Sequence, residues 1–96
     1  MSREVEHQPE KHRYVITVDG ADAGTAYYAD ADGSRVFTHT IVDPAYEGQG
    51  LGSELVAAAL ADTRDAGLRI TPQCPFVAAW VKRHHEYDDI VDAAAD

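Results

Sequence analysis

The sequence predicts an α/β domain of the α+β kind, with element order β-β-β-α-β-α, and three observations carry that expectation. Three runs rich in β-branched and aromatic residues come first, separated by Asp-Gly turn signals. The apolar spacing then changes from strand-like runs to the helical period at Leu51. Last, a short apolar segment is closed by Pro72 and followed by a second helical stripe. The length of 96 residues allows one domain, 1–96, with a single modest core whose ordered part is expected over about 11–91.

Residues 1–10 are polar and unpatterned, and are expected to fray. His12 to Val18 reads as a strand ended by Asp19-Gly20. Ala23 to Ala29, with Thr25, Tyr27 and Tyr28, is a weaker strand, and Asp30-Ala31-Asp32-Gly33 supplies the next turn. Arg35 to Val42 is the strongest strand. Turns this short imply an antiparallel meander. Leu51, Leu55, Val56, Ala59 and Leu60 then form one helical stripe, with Ser53, Glu54, Arg64 and Asp65 off it and Gly67 as the stop. Leu68 to Thr71 is a fourth strand, which a right-handed crossover through the helix makes a parallel neighbour of the third. Pro75 opens a second helix carrying Phe76, Val77, Trp80 and Val81. Tyr87 to Val91 is expected to add a turn against the body, and Asp92 to Asp96 to be loose. Tyr14, Tyr27, Tyr28, Phe37, Phe76 and Trp80 are assigned mostly to the core, with Tyr27 or Tyr28 as candidates to line an acceptor surface.

Seventeen acidic residues against eight basic ones give a net charge of −9, which argues against unspecific nucleic-acid binding and is compatible with a basic partner. Solubility is the favoured reading of the acidity, which identifies no substrate. No apolar run approaches a membrane span, and Met1-Ser2-Arg3-Glu4 does not read as a signal peptide, so a cytoplasmic location is expected. Cys74 has no second cysteine to pair with. His39, Cys74 and His84 lack a fourth ligand and a compact spacing, so no metal site is assigned.

The segment Val42-Asp43-Pro44-Ala45-Tyr46-Glu47-Gly48-Gln49-Gly50-Leu51-Gly52 joins the strongest strand to the first helix. A glycine-rich turn opening a helix gathers unpaired N–H groups and the positive end of the helix dipole, which suits a phosphate or pyrophosphate. Gly50 is followed by Leu51 and not by the Lys-Ser/Thr of a P-loop, and Ser53 replaces the third glycine of a dinucleotide fingerprint. The spacing of Val42, Pro44, Glu47, Gly48, Gly50 and Gly52 resembles the acetyl-CoA motif of the GNAT superfamily of N-acetyltransferases. Phe37-Thr38-His39-Thr40, Pro72-Gln73-Cys74-Pro75-Phe76-Val77 and His84-His85-Glu86-Tyr87 are similar to its short single-domain Yjdj-type branch. The resemblance covers about residues 12–91. It departs at Glu47, where the family carries Arg or Gln; a carboxylate there is expected to point outward and to contribute main-chain contacts only.

The resemblance implies a truncated GNAT-like fold whose third and fourth strands splay apart. It implies acetyl-CoA as cofactor, with the loop from Glu47 through Gly48, Gln49, Gly50, Leu51 and Gly52 to Ser53 at its pyrophosphate. Main-chain groups of Thr40, Ile41 and Val42 would pair with the pantetheine arm, and an N–H near the split would stabilise an oxyanion. Lys82 and Arg83 either reach the phosphates or form a solvated helix face. Cys74 is read as an acetyl carrier, as a proton donor to the leaving thiolate, or as a small buried apolar group. His39 is read as a base for the amine or as a core histidine. His84 and His85 are read as structural. The family reading makes the protein an acetyltransferase acting on a primary amine. Only Asp19 to Asp22 stand where larger members insert helices, so an exposed lysine or N-terminus of a protein or peptide is favoured, with the chain a monomer or weak homo-oligomer. A CoA-binding module without transfer activity, and a structural domain using the glycines only for packing, are the other readings.

Overall fold

Two Asp-Gly pairs set the meander, because a two-residue hairpin loop of the type that matches strand twist needs positive φ at both positions. Asp19 and Gly20 have φ of 50° and 84°, and Asp32 and Gly33 have 52° and 77°. The computed structural model describes residues 2–92. Its elements are β1 (Arg3–Gln8), β2 (Arg13–Val18), β3 (Ala21–Ala31), β4 (Ser34–Val42), α1 (Leu51–Asp65), β5 (Arg69–Pro72) and α2 (Pro75–Arg83), with 3-10 turns at Pro9–Lys11, Pro44–Tyr46 and His85–Tyr87. One five-stranded sheet runs β1-β2-β3-β4-β5, antiparallel through β4 and parallel between β4 and β5.

The observed order is therefore β-β-β-β-α-β-α, one strand longer than predicted. Residues 3–8 do not fray. They pair along β2 from Arg3↔Val18 to Gln8↔Arg13. Only Val5 among them is a partly buried apolar residue, and the edge strand is otherwise polar or charged, which protects a free edge but hides a strand from hydrophobic patterning. Asp30 and Ala31 also belong to a strand, so the second turn is only Asp32-Gly33. Asp92 is not loose, since its N–H donates to Ile70 O and its carboxylate pairs with Arg69. The rest of the expected loose tail, 93–96, lies outside the described residues.

The predicted helical stripe is the core contact of α1. Leu51, Leu55, Val56, Ala59 and Leu60 are all buried against Tyr14, Ile16, Val18, Ala26, Tyr28 and Phe37 of the sheet. Burying five aliphatic and alanine side chains on one face is what holds α1, at roughly 1.5–3 kcal/mol for each of the larger ones. Gly67, at φ 75°, closes the helix: its N–H reaches Arg64 O, and Leu68 N–H reaches Thr63 O. Val77, Trp80 and Val81 of α2 join the same cluster. Phe76 does not: it is 43% exposed and corrects its assignment to the core. Tyr27 is half-buried, on the face opposite Ala26.

Candidate functional site

β4 pairs with β5 only from Ser34↔Arg69 to Phe37↔Pro72, and Cys74 N–H donates to Phe37 O at 2.8 Å. Beyond that bond the two chains separate, and Thr38 to Val42 make no main-chain hydrogen bond to β5 or α2. The split coincides with a bulge. Phe37 faces Tyr28 while His39 faces Tyr27, leaving Thr38 as an extra residue in β4. The bulge resets the alternation of the strand, so Thr40 and Val42 point with Ala26 toward the α1 side, while His39 and Ile41 point away with Tyr27 and Thr25.

At the end of β4, Asp43 caps the 3-10 turn by accepting the Ala45 N–H at 2.9 Å, and Pro44 occupies the first position of that turn. Glu47 N–H is taken by Pro44 O at 3.2 Å, so the main-chain donor expected at Glu47 is used internally; its side chain is exposed, as expected. From Gly48 the backbone changes character. Gly48 and Gly50 take φ of 82° and 75°, conformations that leave a glycine unstrained and cost other residues roughly 1–2 kcal/mol. Gly50 stands at the N-cap of α1 with no side chain to cap it, and its carbonyl accepts Glu54 N–H at 3.1 Å. The amides of Gly48, Gln49, Gly50, Leu51, Gly52 and Ser53 donate to no acceptor among the described residues. Of these residues Gly48, Gly50 and Leu51 line a groove of about 320 Å³, together with Val42, Pro44, Tyr46, Glu47 and Phe76. The N-terminus of a 15-residue helix adds positive potential there.

Two contacts at this mouth were not foreseen from sequence. A Cβ on Gly52 would lie 2.5 Å from the Phe76 ring, so this glycine lets α2 close over the start of α1. Trp80 Nε1 donates to Ser53 Oγ at 3.0 Å, which fixes the same two helices one turn further along. The signal was present in the third glycine, which a cofactor motif explains equally well. Lys82 and Arg83 are exposed in the last turn of α2 and form no ion pair among the described residues; Arg83, three residues after Trp80, shares the side of α2 that faces Ser53.

Cys74 is buried at 3% exposure and precedes α2, yet its thiol does not cap that helix. Its Sγ donates to Thr40 Oγ1 at 3.4 Å, across the split between β4 and β5. His39 is exposed and stacks with Tyr27 at 6.3 Å between ring centroids, so it is not a core histidine. Thr40 and His39 point to opposite faces, and the fold brings Cys74 to Thr40 and not to His39. His84 stacks on Trp80 at 4.1 Å. His85 approaches Asp88 at 3.0 Å.

The groups with the most strongly biased protonation lie under the sheet. Tyr14 O–H donates to Asp62 Oδ2 at 2.6 Å and accepts from Arg35 Nη1 at 2.6 Å, while Arg35 also pairs with Asp30 at 2.8 Å and lies 4.2 Å from the Tyr28 ring centre. Burial, reinforced by the Asp62 carboxylate, pushes the Tyr14 phenol far above its usual range. Burial likewise raises Tyr28. The bond from Arg35 lowers Asp30. Burial alone would lower Arg35, but Asp30 and the two tyrosines outweigh it and hold the guanidinium charged. This network ties β2, β3 and β4 to α1 beneath the strand that carries the bulge.

No helix among the described residues is long and apolar enough to cross a membrane. The fold has relatives of known structure. A GCN5-like protein from Staphylococcus aureus superposes with a TM-score of 0.72 at 21% identity, covering 96% of this chain and 90% of that one. The ribosomal-protein-S18-alanine N-acetyltransferase of Escherichia coli matches with a TM-score of 0.64 at 21% identity, over 79% of this chain and 53% of that one. Ard1 from Thermoplasma volcanium matches at 0.60 and 21%, over 78% and 55%. The chain thus spans about half the length of the latter two. No curated protein matches it. The profile of the GCN5-related N-acetyl-transferases matches residues 13–90, from the first residue of β2 to the segment that bridges β5. The chain therefore belongs to the GCN5-related N-acetyltransferase family, a family of acyl-transferring enzymes.

Proposed function

We propose that the protein transfers the acetyl group of acetyl-CoA to a primary amine, an exposed lysine or the N-terminus of a protein or peptide. The observation that supports this best is the run of free amides from Gly48 to Ser53 at the head of α1, beside a groove that Gly48, Gly50 and Leu51 line. Oriented N–H groups with no internal acceptor are costly unless water or a ligand satisfies them, and a diphosphate is the ligand that the geometry and dipole favour. Acetyl-CoA, when bound, supplies a thioester carbonyl at which a neutral amine forms the new C–N bond while the C–S bond breaks and CoA leaves as the thiol.

The chain's own groups divide that work. Amides of Gly48 to Ser53 hold the diphosphate, and Lys82 and Arg83, which form no ion pair among the described residues, supply cations. The unpaired edge of Thr40 to Val42 offers main-chain donors and acceptors to the pantetheine arm, in the manner of an added strand. A main-chain N–H at the Thr38 bulge, beside the split, stabilises negative charge on the carbonyl oxygen. Cys74, which donates to Thr40 across the split, protonates the departing thiolate. His39, exposed on the far face, takes the proton of an incoming ammonium through water. Similarity to an enzyme that acetylates an alanine of a ribosomal protein supports a protein-borne amine.

The reading as a CoA-holding module draws on Asp43 and Glu47, two carboxylates beside the loop that oppose an anionic ligand. Release of free CoA thiol in the presence of acetyl-CoA and a lysine peptide decides between them. Turnover above the no-enzyme rate is expected, and its absence from a protein whose melting temperature acetyl-CoA raises assigns the module. Cys74→Ala is expected to lower kcat by about 100-fold or more as a lost general acid. Unchanged turnover removes Cys74 from the chemistry.

A further inference from the structure

A second groove, of about 340 Å³, lies on the β3–β4 face that points away from α1. Asp22, Thr25, Tyr27, Ile41 and Asp43 line it, and it shares Asp43 and Pro44 with the groove at the glycine loop. The two grooves therefore meet at the end of β4. Ile41, half exposed, and the Tyr27 ring give this surface an apolar floor, and Tyr27 in turn stacks with His39.

The charge around it is uncompensated. Elsewhere four arginines are used in pairs, Arg3 with Glu54, Arg35 with Asp30, Arg64 with Asp89 and Arg69 with Asp92, whereas Lys11, Arg13, Lys82 and Arg83 form no ion pair among the described residues. Asp22, Asp43 and Glu47 form no ion pair among the described residues. A chain of net charge −9 thus leaves Asp22, Asp43 and Glu47 without a cation along the two grooves, Asp43 being held by the Ala45 N–H alone. A second copy of this chain carries the same charge and is repelled there.

We infer that this β3–β4 groove is the docking surface for the acceptor, and that it selects a basic peptide segment, its aliphatic stems on Tyr27 and Ile41 and its cations on Asp22 and Asp43. Long cationic side chains suit such a floor, because their methylene stems cover apolar surface while the charged head reaches a carboxylate or an aromatic face. Complementary charge of this kind acts on encounter and on peptide affinity more than on the chemical step. The assignment rests on the amine-transfer reading for its chemistry, while its binding preference stands apart from that reading.

The test pairs two labelled peptides, one lysine flanked by arginines and the same lysine flanked by glutamates, measured by fluorescence anisotropy without acetyl-CoA. The basic peptide is expected to bind at least about tenfold more tightly, with the difference shrinking as salt rises. In Asp22→Asn/Asp43→Asn, where an asparagine at 43 can still accept the Ala45 N–H, the preference is expected to fall to about threefold or less. Ile41→Ser is expected to weaken the basic peptide without altering the charge preference. In thiol-release assays the double variant is expected to raise KM for the basic peptide about tenfold, with kcat changed less than twofold. Equal binding of the two peptides by the wild-type protein, or an undiminished preference in a folded double variant, overturns the assignment. If the charge preference is present and responds to the double variant but no acetyl transfer occurs, the groove stands and the transferase reading fails.

Discussion

Gly52 shows how one missing side chain serves two elements. A methyl group there meets the Phe76 ring, but that ring is its side chain's outer end and is partly exposed, so it can swing away. Alanine also gains about 1 kcal/mol over glycine in helix propensity. Gly52→Ala is therefore expected to change urea-unfolding stability by less than about 1 kcal/mol while weakening acetyl-CoA binding, because the displaced ring walls the groove. A loss of several kcal/mol would show that Phe76 is locked. Tyr14 is the opposite case. Its hydroxyl bonds both Asp62 and the 6% exposed Arg35, so Tyr14→Phe leaves a buried guanidinium N–H unmet and is expected to cost about 1–3 kcal/mol in urea unfolding. The pH dependence follows from the same network. The phenols of Tyr14 and Tyr28 are raised in the folded protein, so their contribution is complete below the unfolded value of about 10 and is lost as pH rises beyond it. Asp30 is lowered, so its contribution is complete above about 4 and is lost as pH falls below that. Stability flat above pH 10 would contradict the Tyr14 assignment.

Among the elements, the loop from Gly48 to Gly50 depends on backbone freedom alone. Nothing lies within 4 Å of a Cβ built at either glycine. Gly48→Ala is therefore expected to cost about 1–2 kcal/mol from its positive φ, without a steric clash, and to weaken acetyl-CoA binding more than it weakens the fold. Isothermal titration beside a urea curve separates the two effects, and unaltered affinity would detach this loop from the cofactor. The elements with clear periodicity were legible in the sequence: the stripe of α1, the Asp-Gly turns and the parallel return to β5. β1 was not, because its inward residues are Arg3, Val5 and His7, which attach through Glu54, the apolar cluster and Tyr28. An alternation of that kind carries little hydrophobic signal. The Thr38 bulge was equally silent, since an extra residue in a strand leaves composition unchanged.

At the scale of the molecule, a parallel pair that stops at Phe37↔Pro72 and a helix that begins in glycines create two neighbouring openings at one end of the sheet. The site was legible as far as main-chain chemistry reached, because glycine spacing dictates where amides are left free. Side-chain directions were not, since the bulge decides that Thr40 meets Cys74 while His39 turns to the far face. The central claim is that the amides of Gly48 to Ser53 grip the diphosphate of acetyl-CoA, and a ¹⁵N–¹H correlation spectrum recorded during titration with acetyl-CoA addresses it directly. Saturable shifts are predicted for the amides of Gly48, Gln49, Gly50, Leu51, Gly52 and Ser53, with smaller ones along Thr40 to Val42. Unmoved resonances from Gly48 to Ser53 at millimolar acetyl-CoA, or shifts confined to another part of the chain, would contradict it.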